Sequence, residues 1–170
     1  SPDFINCLFV GNRGNRGGAV VNDEVSWPGY INCTFYGNHA EDSGAVMWSL
    51  LGANAEIVNS ILWNNTSLSN AQIECSGSSE TTVVNSIMDD GTADGAVSVD
   101  GECVDLGSNA LDADPRFVDP SGADFSLAAD SPAVDAGDSG FVPSGIAVDL
   151  GGFPRIQGVA VDIGVFEFQP

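Results

Sequence analysis

The chain has no lysine, one histidine and four arginines against 24 aspartates and glutamates, a formal net charge of −20 over 170 residues. Such a surface repels phosphate backbones and anionic lipid headgroups, which argues against nucleic acid and membranes as partners and leaves cations as better ones. No apolar run approaches the roughly eighteen residues that a membrane-spanning helix needs. Closely spaced cysteines are also lacking. Cys7, Cys33, Cys75 and Cys103 follow one another at intervals of 26, 42 and 28 residues, and His39 is the only imidazole, so no zinc-binding spacing is present. No segment holds a 3.6-residue apolar period for long, and Gly and Asn interrupt the Val, Ile, Thr and aromatic residues every few positions, which excludes a helical fold.

What the chain does contain is a repeat. "FINCLFVGN" from Phe4 returns as "YINCTFYGN" from Tyr30, then more weakly as "IVNSILWNN" from Ile57 and "VVNSIMDDG" from Val83, at intervals of 26, 27 and 26 residues. A second shared element follows, "GGAV" from Gly17 and "SGAV" from Ser43. Like residues stack on like at this period. Read as a single strand with alternating faces, each copy sends Ile5, Ile31, Val58 and Val84 inward, with Cys7, Cys33, Ser60 and Ser86, and then Phe9, Phe35, Leu62 and Met88. Asn6, Asn32, Asn59 and Asn85 form an outward column, and Asn12, Asn38 and Asn65 fall where the chain should bend.

Columns of like residues at a fixed period are what a coil of parallel strands demands, because each turn lies about 4.8 Å above the last. Asparagine amides can then hydrogen-bond from turn to turn. The expectation is an all-β, right-handed parallel β-helix of about four rungs, each with three short strands, over residues 1–109. A β-rich cap over residues 110–170 packs on the last rung, because Pro115, Pro120, Pro132, Pro143 and Pro154 prevent the ladder from continuing unbroken. The acids are unevenly placed: eight lie up to Asn85 and sixteen after it. Asp135, Asp149 and Asp162 are expected to bond turn amides or to pair with Arg116 and Arg155.

"FVGN" and "FYGN" fit the Phe-x-x-Asn motif, and "GGAV" the Gly-Gly-Ala-aliphatic motif, of the repeats in bacterial polymorphic outer membrane proteins, which the first part of the chain resembles. Asp114 to Phe117, Ser131 to Gly137, Arg155 and Asp162 to Phe168 resemble the C-terminal end of secreted bacterial β-helix proteins with a choice-of-anchor tail. The resemblance implies a β-helix at an extracellular or bacterial cell-surface location. It implies no particular activity.

Parallel β-helices also host polysaccharide lyases and glycosidases, but the lysine often used as a lyase base is missing here. On the coil only Asp89 and Asp90 form an acidic pair, and a pair at a strand end reads first as a solvated turn. No catalytic residue is assigned and no cofactor is required, although acidic loops such as "DADPRFVDPSGAD" could take calcium through oxygen ligands. Four aromatics are candidate glycan contacts: Tyr36 and Trp63, stacked on the outward face, and Trp27 and Trp48 elsewhere on the coil. Cys75 and Cys103 occupy nearly equivalent places on adjacent rungs, which suits a disulfide, whereas Cys7 and Cys33 stack too far apart and should be buried thiols. Finally, Phe4, Ile5, Cys7 and Phe9 form an apolar assembly face that further rungs or another copy of the chain should cover, head to tail and capable of propagating into a filament. The functional expectation is a non-catalytic structural, adhesive or assembly module. The alternative is a carbohydrate-binding part of a lyase or glycoside hydrolase whose catalytic rungs lie elsewhere.

Overall fold

The computed structural model describes residues 2–89, 104–106, 110–111 and 113–170. It is a parallel β-solenoid in which each complete turn is built from four short strands, not three. The first turn holds β1 (Asp3–Ile5), β2 (Leu8–Val10), β3 (Arg13–Arg16) and β4 (Val20–Asn22). The second holds β5 (Gly29–Ile31), β6 (Thr34–Tyr36), β7 (His39–Ser43) and β8 (Met47–Ser49). The third holds β9 (Asn54–Val58), β10 (Ile61–Trp63), β11 (Thr66–Ser67) and β12 (Ile73–Cys75). Two of the four sheets continue through β13 (Glu80–Val84), β14 (Ile87–Met88), β15 (Val104–Leu106) and β16 (Ala110–Leu111). The described residues thus form about three full turns rather than four, with sheet orders β1-β5-β9-β13-β15, β2-β6-β10-β14-β16, β3-β7-β11 and β4-β8-β12.

The asparagine before each inward cysteine or serine divides what reads as one strand into two. Asn6, Asn32, Asn59 and Asn85 all have left-handed backbones, with φ of 52°, 52°, 48° and 48°. Asparagine tolerates that conformation better than other residues with a side chain, and it turns the chain sharply. The corner shifts the alternation by one residue. The inward column is therefore Phe4, Tyr30, Ile57 and Val83 rather than Ile5, Ile31, Val58 and Val84, while the Cys7 and Phe9 columns stay inward as expected. Inside the first two turns the rings stack in pairs, Phe4 on Tyr30 with centroids 5.0 Å apart and Phe9 on Phe35 at 4.6 Å. Tyr30 and Phe35 also meet edge to face at 5.9 Å.

The second asparagine column forms a continuous ladder at the next bend. The main-chain and side-chain nitrogens of Asn12 both donate to Asn38 Oδ1, at 3.0 and 2.9 Å, and those of Asn38 both donate to Asn65 Oδ1 at 2.9 Å. Asn38 and Asn65 are buried, so the amides supply partners to main-chain groups that the bend withdraws from the sheets.

Among the described residues the C-terminal segment touches several turns of the coil, Ile87 of β14 included, and not one turn alone. It runs along the flank, across successive turns at the first asparagine corner. Asn6 Nδ2 donates to Val148 O at 2.8 Å, Asn32 Nδ2 to Asp162 O at 3.5 Å, and Asn59 Nδ2 to Asp138 O at 3.0 Å. The main chain approaches closely at Gly164, whose N–H reaches Asn59 O at 2.8 Å. A Cβ there would lie 2.7 Å from Ile61 Cδ1, and the φ of 103° independently favours glycine. A second apolar core fills this seam, with Ile61 and Ile87 of the coil against Leu127, Ala133 and Ile163 of the segment. Its antiparallel hairpin pairs β17 (Phe117–Asp119) with β18 (Asp124–Leu127). The segment takes the flank because the coil's outward positions there are apolar, and covering them removes their surface from water.

Candidate functional site

The aromatic side chains proposed as glycan contacts do not form one face. Tyr36 and Trp63 are neighbours in register on β6 and β10. The hairpin covers that column: the Tyr36 ring lies 5.0 Å from Phe125 and 5.9 Å from Phe117, and Trp63 packs against the seam core. Trp48 is on a different sheet, between Val21 and Glu74 in register. The Arg16 guanidinium lies over its ring at 5.2 Å, its Nε bonds Asp42 at 2.7 Å, and its Nη1 is 3.8 Å from Glu74. Trp27 is 59% exposed beside a corner that also exposes Val25 and Leu51.

The remaining candidates separate as follows. Phe4, Cys7 and Phe9 lie together at the open side of the first turn and pack partly buried against the main core, whereas Ile5 lies outside the inward column. Cys7 and Cys33 are free thiols in one column. Their hydrogen bond and the burial of Cys33 push the Cys33 thiol up, so Cys7, nearer the surface, is the first of the two to ionise. Cys75 is buried in the core, and Cys103 lies outside the described residues. Asp89 accepts the Asn64 N–H at 3.2 Å, in keeping with a turn role, and Asp90 lies outside the described residues. His39 Nδ1 is 2.9 Å from Thr66 Oγ1 on the neighbouring turn.

The carboxylates of the C-terminal segment bond mainly to turn amides. Asp135 Oδ1 accepts from the main chain of Val159 and Ala160 at 2.8 and 3.2 Å, and Asp149 from Phe153 and Glu167, both at 2.9 Å. Asp162 accepts from Asp135 and Phe168, both at 2.6 Å. In the loop considered for calcium, Asp119 is engaged by Ser121 and Gly122 and Asp124 by Ser126, and those bonds hold both carboxyls below the usual carboxylate range. Among the described residues no three His, Cys, Asp or Glu side chains gather into a metal-binding set.

Sequence reasoning missed the centre of the seam. Arg155 is 1% exposed and pairs with Glu167, 2.7 Å away and equally enclosed, not with one of the aspartates. Its other bonds go to Asn6 Oδ1 of the first turn and to the carbonyls of Asp162, Val165 and Gly164, at 3.1 to 3.2 Å. Burial pushes the Glu167 carboxyl up to about 7, raises that of Asp162 and lowers the Arg155 guanidinium. Arg116, by contrast, pairs with Asp130 at the surface. A recess of about 110 Å³ beside the buried pair is lined by Asp135, Asp162, Glu167 and Phe168, the carboxylates already committed to main-chain N–H groups. Arg155 could have been suspected from its sequence setting, one of four cations in a strongly acidic chain, but nothing in the spacing pointed to Glu167.

Comparison of the chain with protein-family models, with curated proteins and with solved structures finds no match.

Proposed function

We propose that the chain is a non-catalytic module of a secreted or cell-surface β-helix protein, serving as a rigid structural, adhesive or assembly unit. The observation that carries this reading is the use made of the outward aromatics. A β-helix that binds glycans along its flank needs accessible ring faces, but Tyr36 packs under the hairpin and Trp48 under Arg16. Those contacts spend the rings on stiffness. The finer resemblance to polymorphic outer membrane protein repeats and choice-of-anchor tails has two supports: Asn12 and Asn38 of the Phe-x-x-Asn motifs build the amide ladder, and Arg155 and Asp162 of the tail motif hold the seam. An extracellular setting would also suit a Cys75–Cys103 bridge.

The alternative, a carbohydrate-binding part of a larger enzyme, is favoured by one feature, the exposed corner at Trp27. Retention assays and reducing-end assays on anionic and neutral polysaccharides, with and without calcium, separate the two readings. The structural reading expects neither retention nor product release. Product release by the purified chain overturns it, and retention abolished by Trp27→Ala transfers the case to the carbohydrate-binding alternative.

A further inference from the structure

We infer that the seam between the coil and the C-terminal segment is a proton-operated latch: with one proton on Glu167 the segment lies closed across the first three turns, and loss of that proton frees it while the coil stays wound.

The seam encloses more negative charge than it can balance. Asp149, Asp162 and Glu167 are 5%, 3% and 2% exposed, and the one guanidinium among them is that of Arg155. Asp135 adds a fourth carboxyl at the rim, where it lines the recess beside Glu167 together with Gln157. From the coil only uncharged groups reach in: Asn6, Asn32 and Asn59 at the corners, and Thr34 Oγ1, which accepts the Val165 N–H at 3.1 Å. Three enclosed carboxylates against one cation leave a net charge with little water to screen it, and keeping one proton is the least costly relief.

Hydrogen bonds decide which carboxyl keeps it. Asp149 accepts main-chain N–H groups on both oxygens, Phe153 at Oδ1 and Glu167 at Oδ2, and Asp162 does the same with Asp135 and Phe168. An acid whose two oxygens both accept in this way has no place for a proton. Glu167 is different. Arg155 and the Asp162 N–H both donate to its Oε1, at 2.7 and 3.0 Å, so Oε2 can be protonated without loss of either bond. The recess that Glu167 lines gives the proton its path to water. Burial accordingly pushes this carboxyl up to about 7.

The bonds at stake are those between segment and coil. Gly164 N–H donates to Asn59 O at 2.8 Å and Val165 N–H to Thr34 Oγ1, whereas Asn32 N–H to Val58 O and Ile61 N–H to Cys33 O, at 3.0 and 2.9 Å, belong to the coil alone. Opening the segment lets Glu167 ionise in water and leaves the second set intact.

Amide hydrogen exchange followed by NMR, with each rate referred to the unstructured rate at the same pH, reads the two sets separately. From pH 6 to pH 8 the protection of Gly164 and Val165 should fall about tenfold and that of Asn32 and Ile61 should not, while in Glu167→Gln all four should stay level. The carboxyl carbon of Glu167, followed in the parent, should titrate over the same interval, which provides a test even where the variant folds poorly. A carboxylate already fully ionised at pH 6, level protection across the interval, or a fall shared equally by the coil amides overturns the latch. A fall that persists in folded Glu167→Gln overturns it too.

Discussion

Replacing Arg155 with methionine keeps most of the apolar volume of the side chain but removes the charge that faces Glu167 and the donors to Asn6, Asp162, Val165 and Gly164. Both members of the ion pair have side chains only 1% exposed, so the carboxylate left behind finds little water. Breaking one side of a buried pair costs about 3–5 kcal/mol, and for a chain of this size each kcal/mol lowers the thermal midpoint by about 2–4 °C. Arg155→Met should therefore melt roughly 10 °C below the parent, followed by far-ultraviolet circular dichroism. Limited proteolysis should first cut the exposed stretch around Phe141 and Phe153, which the arginine no longer ties to the first turn. Glu167→Gln removes the stranded charge, so the Arg155→Met/Glu167→Gln pair should be more stable than Arg155→Met alone, with a coupling of about 1.5 kcal/mol or more. A single variant within about 1 kcal/mol of the parent, or a double variant no better than the single, would refute the assignment of the seam's stability to this pair.

Two further outcomes follow from the same structure. Glu167 has a folded pKa near 7, above its ordinary 4.5, so its contribution to stability is complete below about 4.5 and is lost as the pH rises through 7. The parent should melt higher at pH 5.5 than at pH 8, and Glu167→Gln should flatten that difference while leaving the background slope from the chain's net negative charge. Asn38→Ala removes both acceptor and donor from the middle of the buried ladder, leaving the Asn12 N–H and the Phe9 carbonyl without those partners. Urea unfolding should show a loss of about 2–4 kcal/mol, against about 1 kcal/mol for Asn12→Ala at the ladder's more exposed end.

The coil was legible because its signal repeats. Cysteine above cysteine, serine above serine and phenylalanine above phenylalanine can be aligned without knowing any backbone angle, and those columns do face inward. The Ile5 column was misread because period-two counting assumes extended backbone throughout, and the left-handed φ at Asn6, Asn32, Asn59 and Asn85 breaks that assumption once per turn. The same corners hide the fourth strand of each turn. The docking of the C-terminal segment left only an indirect trace. Ile61, Trp63 and Ile87 are apolar at outward positions, which signals a cover, but the bonds that place the cover go from asparagine amides to main-chain carbonyls and carry no sequence signature. The acids were rightly expected at turn amides, because short polar side chains bond locally; the partner of Arg155 was missed because it is set by how the segment folds back on itself.

The flanking segment also bears on how the coil comes apart. A stack of repeats ordinarily interacts only between neighbours, so its end turn can fray at little cost to the rest. Here Asn6, Asn32 and Asn59 are each tied to a segment 79 to 142 residues away along the chain. Peeling the first turn therefore also means releasing Arg155, and with it bonds that reach the second and third turns. A linear series of independent steps becomes one shared transition. The splint also has a fixed length: inserting or deleting a rung between Asn6 and Asn59 would move one end of it by about 4.8 Å relative to its partners. Elsewhere in a solenoid turns can be gained or lost freely, but beside this segment their number is locked.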